Sequence, residues 1–210
     1  MKNFIITAMG RSGTMFLSHN MNKSKKWTVL HEARKWHDLN CSAEEIQQRF
    51  NQEYYGEVNG YLRFVIDKIN CEKKGIILRN PIDQWLSITS WHNHNKWACG
   101  LEKKWYSDFK MFRRAIPYLL KLAETGEYCV ILFERMITEL EYLKAIFRYF
   151  EIDDVDVNDE MMNTKINATS EKSKTSWEDF SPRVKNIIFS LNDHYLKRIK
   201  KIKCFSEEKT

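Results

Sequence analysis

The chain has 210 residues, 43% of them apolar, with 34 Lys and Arg against 28 Asp and Glu for a net charge of +6. That length suits one globular domain over residues 1–210 with enough apolar material for a real core, and the positive balance favours anionic partners, whether phosphorylated small molecules, nucleic acid or acidic glycans. Five cysteines stand singly at 41, 71, 99, 129 and 204, an odd number without metal-site spacing, which excludes a full disulfide framework. The apolar stretch before Gly10 is far shorter than a signal-peptide core and no run approaches a membrane span, so the expectation is a soluble, reduced, cytoplasmic protein.

Apolar runs ending in turn residues recur in chain order at "FIIT" (4–7), "WTVLH" (27–31), "LRFVI" (62–66), "GIILR" (75–79) and "YCVILF" (128–133). Four are nearly continuous rather than alternating, the pattern of strands covered on both faces. Between and after them, helical spacing occupies 14–22, 43–52, 81–94, 105–124, 138–150 and 182–201, with Pro117 dividing or kinking the fourth helix. The alternation predicts a single-domain α/β fold: a mostly parallel central sheet of about five strands flanked by helices, P-loop-like in its first turn. The polar stretch 153–181 reads as a long loop, a length often tied to function.

The first strand runs into "AMGRSGTMF" (8–16). A nucleotide-triphosphatase loop, GxxxxGK[ST], needs a Lys for the outer phosphates and a hydroxyl for magnesium. Aligning Thr14 with that hydroxyl puts Gly13 in place of the Lys and Thr7 in place of the first Gly, so that motif fails. What remains is Gly10, Arg11, Ser12, Gly13 and Thr14: backbone amides, two hydroxyls, a guanidinium and the positive end of a helix. This equipment suits a compact dianion or anhydride better than a metal-bound triphosphate.

A second strand, turn and helix follows at "GIILRNPIDQWLSITSWHN" (75–93), with Arg79 at the carboxyl end of the strand, where open α/β sheets bind ligands. A magnesium enzyme would place an acid there. Asn80 is a good N-cap, Pro81 suits the first helical position, Asp83 complements the dipole, and Ser87 lies four residues beyond Asp83 on the same helix face.

Together these motifs resemble the sulfotransferases that use 3′-phosphoadenosine 5′-phosphosulfate (PAPS). "GRSGT" (10–14) is similar to the family's 5′-phosphosulfate loop, with Gly10 in place of the usual Pro; Arg79, Asn80, Pro81, Asp83 and Ser87 match its 3′-phosphate element in order and spacing. "VILFER" (130–135) is similar to a later core strand that ends in an acid after an aromatic. The resemblance covers the first 150 residues best. It implies a transferase that moves a sulfuryl group from PAPS to a hydroxyl or amine of a carbohydrate, phenol or tyrosyl acceptor, leaving 3′-phosphoadenosine 5′-phosphate (PAP), with no metal required.

In that scheme Gly10, Arg11, Ser12, Gly13, Thr14, Arg79 and Ser87 bind the nucleotide, and Arg11 offsets charge on the bridging and leaving oxygens. Lys172 and Lys174, flanking Ser173, would close over the nucleotide, as a basic C-terminal segment does in many members. The base comes from "WTVLHEARKWH" at the end of the second strand, where His31 and Glu32 are adjacent. If the strand persists through both, only one can face the sulfate; the resemblance to carbohydrate- and tyrosine-modifying members favours Glu32.

Other features carry less. His92 and His94 lack a third metal ligand, and Trp85, Trp91 and Trp97 do not share one helix stripe, though those near the helix end suit the floor of an acceptor pocket. The "NAT" sequon at 167–169 is incidental without a secretion signal, and "KRIKKIK" (197–203) reads as a solvated helix end. The rival readings are a small-molecule kinase with a degenerate P-loop and a basic nucleic-acid-binding domain; the first lacks the Lys and the magnesium acid, the second any recognisable binding module, so no nucleic-acid partner is expected.

Overall fold

The computed structural model describes residues 1–33, 41–94, 101–164 and 175–204. Five strands form one sheet, β1 (Asn3–Ala8), β2 (Thr28–His31), β3 (Tyr55–Val58), β4 (Lys73–Leu78) and β5 (Cys129–Leu132), in the order β2-β3-β1-β4-β5 with every pair parallel. The helices are α1 (Thr14–Met21), α2 (Ala43–Gln47), α3 (Pro81–His94), α4 (Leu101–Ala123), α5 (Phe133–Thr138), α6 (Leu140–Tyr149), α7 (Asp159–Asn163) and α8 (Pro182–Ile199).

Strand alternation divides the core in two. Ile5 and Met9 of the first strand and its exit, with Ile76 and Leu78 of β4, meet Trp85, Phe112 and Ile188 on the α3, α4 and α8 side. Phe4, Ile6 and Ala8, with Ile77 and Ile131, meet Phe16, Leu17, Tyr142 and Phe147 on the α1 and α6 side. The chain therefore leaves β1 toward one face and β4 toward the other, and these two strands are neighbours, with Ala8 opposite Ile77. That divergence opens the crevice at the sheet's carboxyl edge where doubly wound folds hold ligands.

The run at 62–66 is not a strand. Residues Gly60–Phe64 and Ile66–Lys68 form two 3₁₀ turns, started by Asn59, whose Oδ1 accepts the Tyr61 amide at 2.9 Å. The strand in that place is β3, "YGEV", which strand propensity disfavours through Gly56 and Glu57. Both residues have tertiary reasons. A Cβ on Gly56 would stand 2.2 Å from Cζ of Phe4, whose ring packs between Trp27 and Phe150. The fully buried Glu57 carboxylate is ion-paired with Arg49, whose Nε lies 2.9 Å from Oε1, and accepts from the Tyr55 hydroxyl at 2.6 Å and Asn59 Nδ2 at 3.0 Å, the pairing a buried charge requires.

Other boundaries move less. The 43–52 helix is α2 followed by a 3₁₀ turn at Gln48–Asn51, the 138–150 helix is α6 preceded by the separate α5, and α8 ends at Ile199. Pro117 sits inside one continuous α4. The stretch 153–181 contains α7 and a 3₁₀ turn at Trp177–Asp179. No helix among the described residues is long and apolar enough to cross a membrane.

Candidate functional site

The turn after β1 is held in an uncommon conformation. Arg11 has φ 64° and Gly13 φ 77°, both left-handed, and Gly13 caps α1 without any side-chain hydrogen bond to the helix amides. Amides at such a start converge outward and favour an anion. Gly13 must be glycine on steric grounds too: a Cβ would lie 2.7 Å from Met136 Cε and 2.9 Å from Phe133 Cε2.

Arg11, a non-glycine residue at positive φ, is fixed from two sides. Its carbonyl accepts from Arg79 Nη1 at 2.5 Å, and its own Nε donates to Ser87 Oγ at 3.2 Å. The residues of the two sequence motifs are thus in direct contact. Arg79 also lies 4.3 Å over the Phe133 ring, and its buried Nε meets no acceptor among the described residues. Burial, then the neighbouring Arg79 cation, lowers the Arg11 pKa; burial lowers that of Arg79 against the opposing pull of Glu134 and Asp83. Two desolvated guanidiniums side by side present a field that a multiply charged anion would relieve.

The second element is built as its sequence foretells. Asn80 Oδ1 accepts the Ile82 and Asp83 amides at 2.9 and 3.3 Å, Pro81 opens α3 and Asp83 sits in its first turn. Trp85, 1% exposed, anchors the helix against Phe109, Phe112 and Phe180. Glu134, the acid of "VILFER", lies in the first turn of α5 rather than at a strand end, where its Oε1 accepts the Asn80 amide at 3.0 Å. Downstream, the Thr175 amide donates to Ser90 Oγ at 2.8 Å, so the segment starting at Thr175 is joined to α3.

β2 ends at His31. Glu32 adopts φ 47°, which breaks the strand's alternation and brings both side chains to one side: His31 Nε2 lies 3.1 Å from Thr14 Oγ1 and 3.9 Å from Glu32 Oε1. A cleft of about 270 Å³ opens beside His31, walled by Met15, Ser18 and His19 of α1 and Val29 and Leu30 of β2.

No family model and no curated protein matches the sequence. Solved structures do. A sulfotransferase from Alicyclobacillus acidocaldarius superposes with TM-score 0.58 at 13% identity, over 95% of this chain and 94% of that one. A mouse sulfotransferase, SULT7A1, complexed with PAP gives 0.54 at 14% identity, over 96% and 86%. The sulfotransferase domain of the Synechococcus PCC 7002 olefin synthase gives 0.52 at 14%, over 92% and 94%. The chain has the sulfotransferase fold.

Within this sulfotransferase fold, the residues singled out from sequence sort into three groups. Gly10, Arg11, Gly13, Thr14, His31, Glu32, Arg79 and Ser87 gather at the carboxyl edge of β1, β2 and β4. Ser12 belongs to the same turn but its side chain is fully buried, its Oγ accepting from Gln84 Nε2. Lys172, Ser173 and Lys174 lie outside the described residues, as do Trp97, the 167–169 sequon and the side chains of His92 and His94. Among the described residues no three His, Cys, Asp or Glu side chains group to hold a metal ion. Gln84 was missed; its position on the Asn80 and Ser87 face of α3, at i+4 and i−3, was the available signal.

Proposed function

We propose that this chain is a PAPS-dependent sulfotransferase acting on a hydroxyl or amine of a small molecule or glycan. The observation that carries the reading is the direct junction of Arg11 with Arg79 and Ser87 between β1 and β4, in a fold shared with a PAP-bound enzyme. A metal-free nucleotide with phosphates at two positions fits two adjoining cationic elements, and the Arg79 Nε, which has no acceptor among the described residues, offers a further donor.

In this reading the turn amides from Gly10 to Thr14 and the Arg11 guanidinium hold the 5′ end, while Arg79 and Ser87 hold the 3′-phosphate. Lys172 and Lys174 remain part of the proposal as closing residues. When bound, PAPS supplies the activated sulfuryl group. Arg11 stabilises negative charge as it develops on the bridging oxygen, an interaction stronger in the transition state than in the ground state. The acceptor enters by the cleft at Met15 and Leu30, and its proton passes to the His31–Glu32 pair. The Thr14 contact supports His31 as the group nearest the transferred sulfur, with Glu32 behind it stabilising the imidazolium that forms. The free thiols of Cys41, Cys71, Cys129 and Cys204 accord with a reducing, cytoplasmic setting.

Calorimetric titration without magnesium tests the reading. PAP binds, and adenosine diphosphate, which lacks the 3′-phosphate, binds far more weakly. Equal binding of the two would favour a kinase, and tight salt-sensitive binding of oligonucleotides alone would favour a nucleic-acid-binding domain.

A further inference from the structure

The uncharged Gln84 ties the two anion-facing elements together. It lies on α3 between Asn80 and Ser87, 1% exposed. Its Nε2 donates to the Met9 carbonyl at 3.1 Å, the Gly10 carbonyl at 2.9 Å and the Ser12 hydroxyl. Three acceptors thus crowd one NH₂ group, while its Oε1, also buried, meets no donor among the described residues. Native interiors seldom leave such an acceptor alone. Rotating the amide would face its oxygen toward two carbonyls, so the turn dictates the orientation and the stranded Oε1 is the consequence.

The helix does not depend on this amide for its packing, which Trp85 and Ile88 provide. What depends on it is the shape of residues 9–12, including the left-handed Arg11. By accepting from Gln84, the Ser12 side chain is turned inward and the backbone of the turn faces out. We propose that Gln84 is a positioning residue that holds the Met9–Ser12 turn in the form that receives the 5′ end of the nucleotide, coupling that site to the 3′-phosphate site through α3. The assignment rests on the PAPS reading above.

The test compares adenosine 3′,5′-bisphosphate with adenosine 3′-monophosphate by calorimetry without magnesium, in wild type, Q84L and the isosteric Q84E, with thermal denaturation of each. Wild type prefers the bisphosphate. Both variants lose that preference by about 10-fold or more, since the turn's hydrogen bonds are gone, yet bind the 3′-monophosphate within about 2-fold of wild type. A Q84L that prefers the bisphosphate as strongly as wild type overturns the assignment alone. So does equal loss of both ligands, which marks a general structural role. Should Q84L fail to fold, Q84E decides by the same measurements. A wild type without preference overturns this assignment together with the nucleotide reading.

Discussion

Replacing Arg79 by Ala separates a ligand-binding cation from a structural one. In the free protein its removal has opposing effects: the bond to the Arg11 carbonyl and the contact over Phe133 are lost, while a buried cation that disfavours the charge on Arg11 is relieved. Each effect is worth about 1 kcal/mol, so the free variant melts within about 4 °C of wild type. With PAP the two diverge. At 100 times the wild-type Kd, binding adds about 2.7 kcal/mol and raises the Tm of a domain this size by roughly 5–10 °C. Loss of two charge-assisted bonds to a phosphate costs about 3 kcal/mol, or roughly 150-fold in Kd. At the same PAP concentration the variant then gains only about 0.3 kcal/mol, near 1 °C. Differential scanning fluorimetry with and without PAP measures this directly. An undiminished PAP shift in the variant refutes the role given to Arg79.

Further expectations concern the base, the sheet and acid stability. With labelled donor and an active acceptor, H31N lowers turnover by about 10²–10⁴-fold and E32Q by less, both leaving the PAP Kd unchanged. An H31N variant that keeps near-wild-type turnover while E32Q loses it moves the base to Glu32. G56A destabilises by about 2–3 kcal/mol in urea unfolding because its Cβ meets the Phe4 ring, and adding F4L recovers part of the loss rather than summing with it. Additivity of the two changes would show that the ring is not what excludes a side chain at 56. Glu151, bonded by Lys2 and Lys73, has its pKa lowered to about 2. Its depressed folded-state value means it stabilises fully above its ordinary range and loses this contribution as pH falls from about 5 toward 2; discounted for exposure, the effect is about 1 kcal/mol. E151Q flattens that part of the stability profile, and an unchanged profile removes the ion pairs from the account.

Where local chemistry and tertiary demand agree, sequence was enough. β1, β4 and their exits were legible because apolar runs there end in turn residues with backbone or charge roles: Gly13 at φ 77°, Asn80 as a cap, Arg79 at a strand end. β3 was not, because its glycine answers to Phe4 on another strand and its glutamate to Arg49 in the turn before it, partners that alternation within the strand does not show. The apolar run at 62–66 misled for the converse reason: Leu62 and Ile66, one turn apart, are fully buried although their backbone coils. The candidate site was legible by residue but not by geometry. Alternation along β2 implied that His31 and Glu32 oppose each other, and only the left-handed Glu32 places them together. Gln84 escaped notice because an uncharged residue between two recognised ones has no chemistry until its acceptors are known.

The all-parallel sheet bears on synthesis at the ribosome. β1, wholly buried in the finished molecule, pairs with strands that begin only at Tyr55 and Lys73. Until those residues have left the exit tunnel, "NFIITA" has no ladder to join and exposes its apolar face to any nascent neighbour. Translation speed between residues 8 and 78 therefore bears on yield, and chaperone occupancy of this segment should end once β4 emerges.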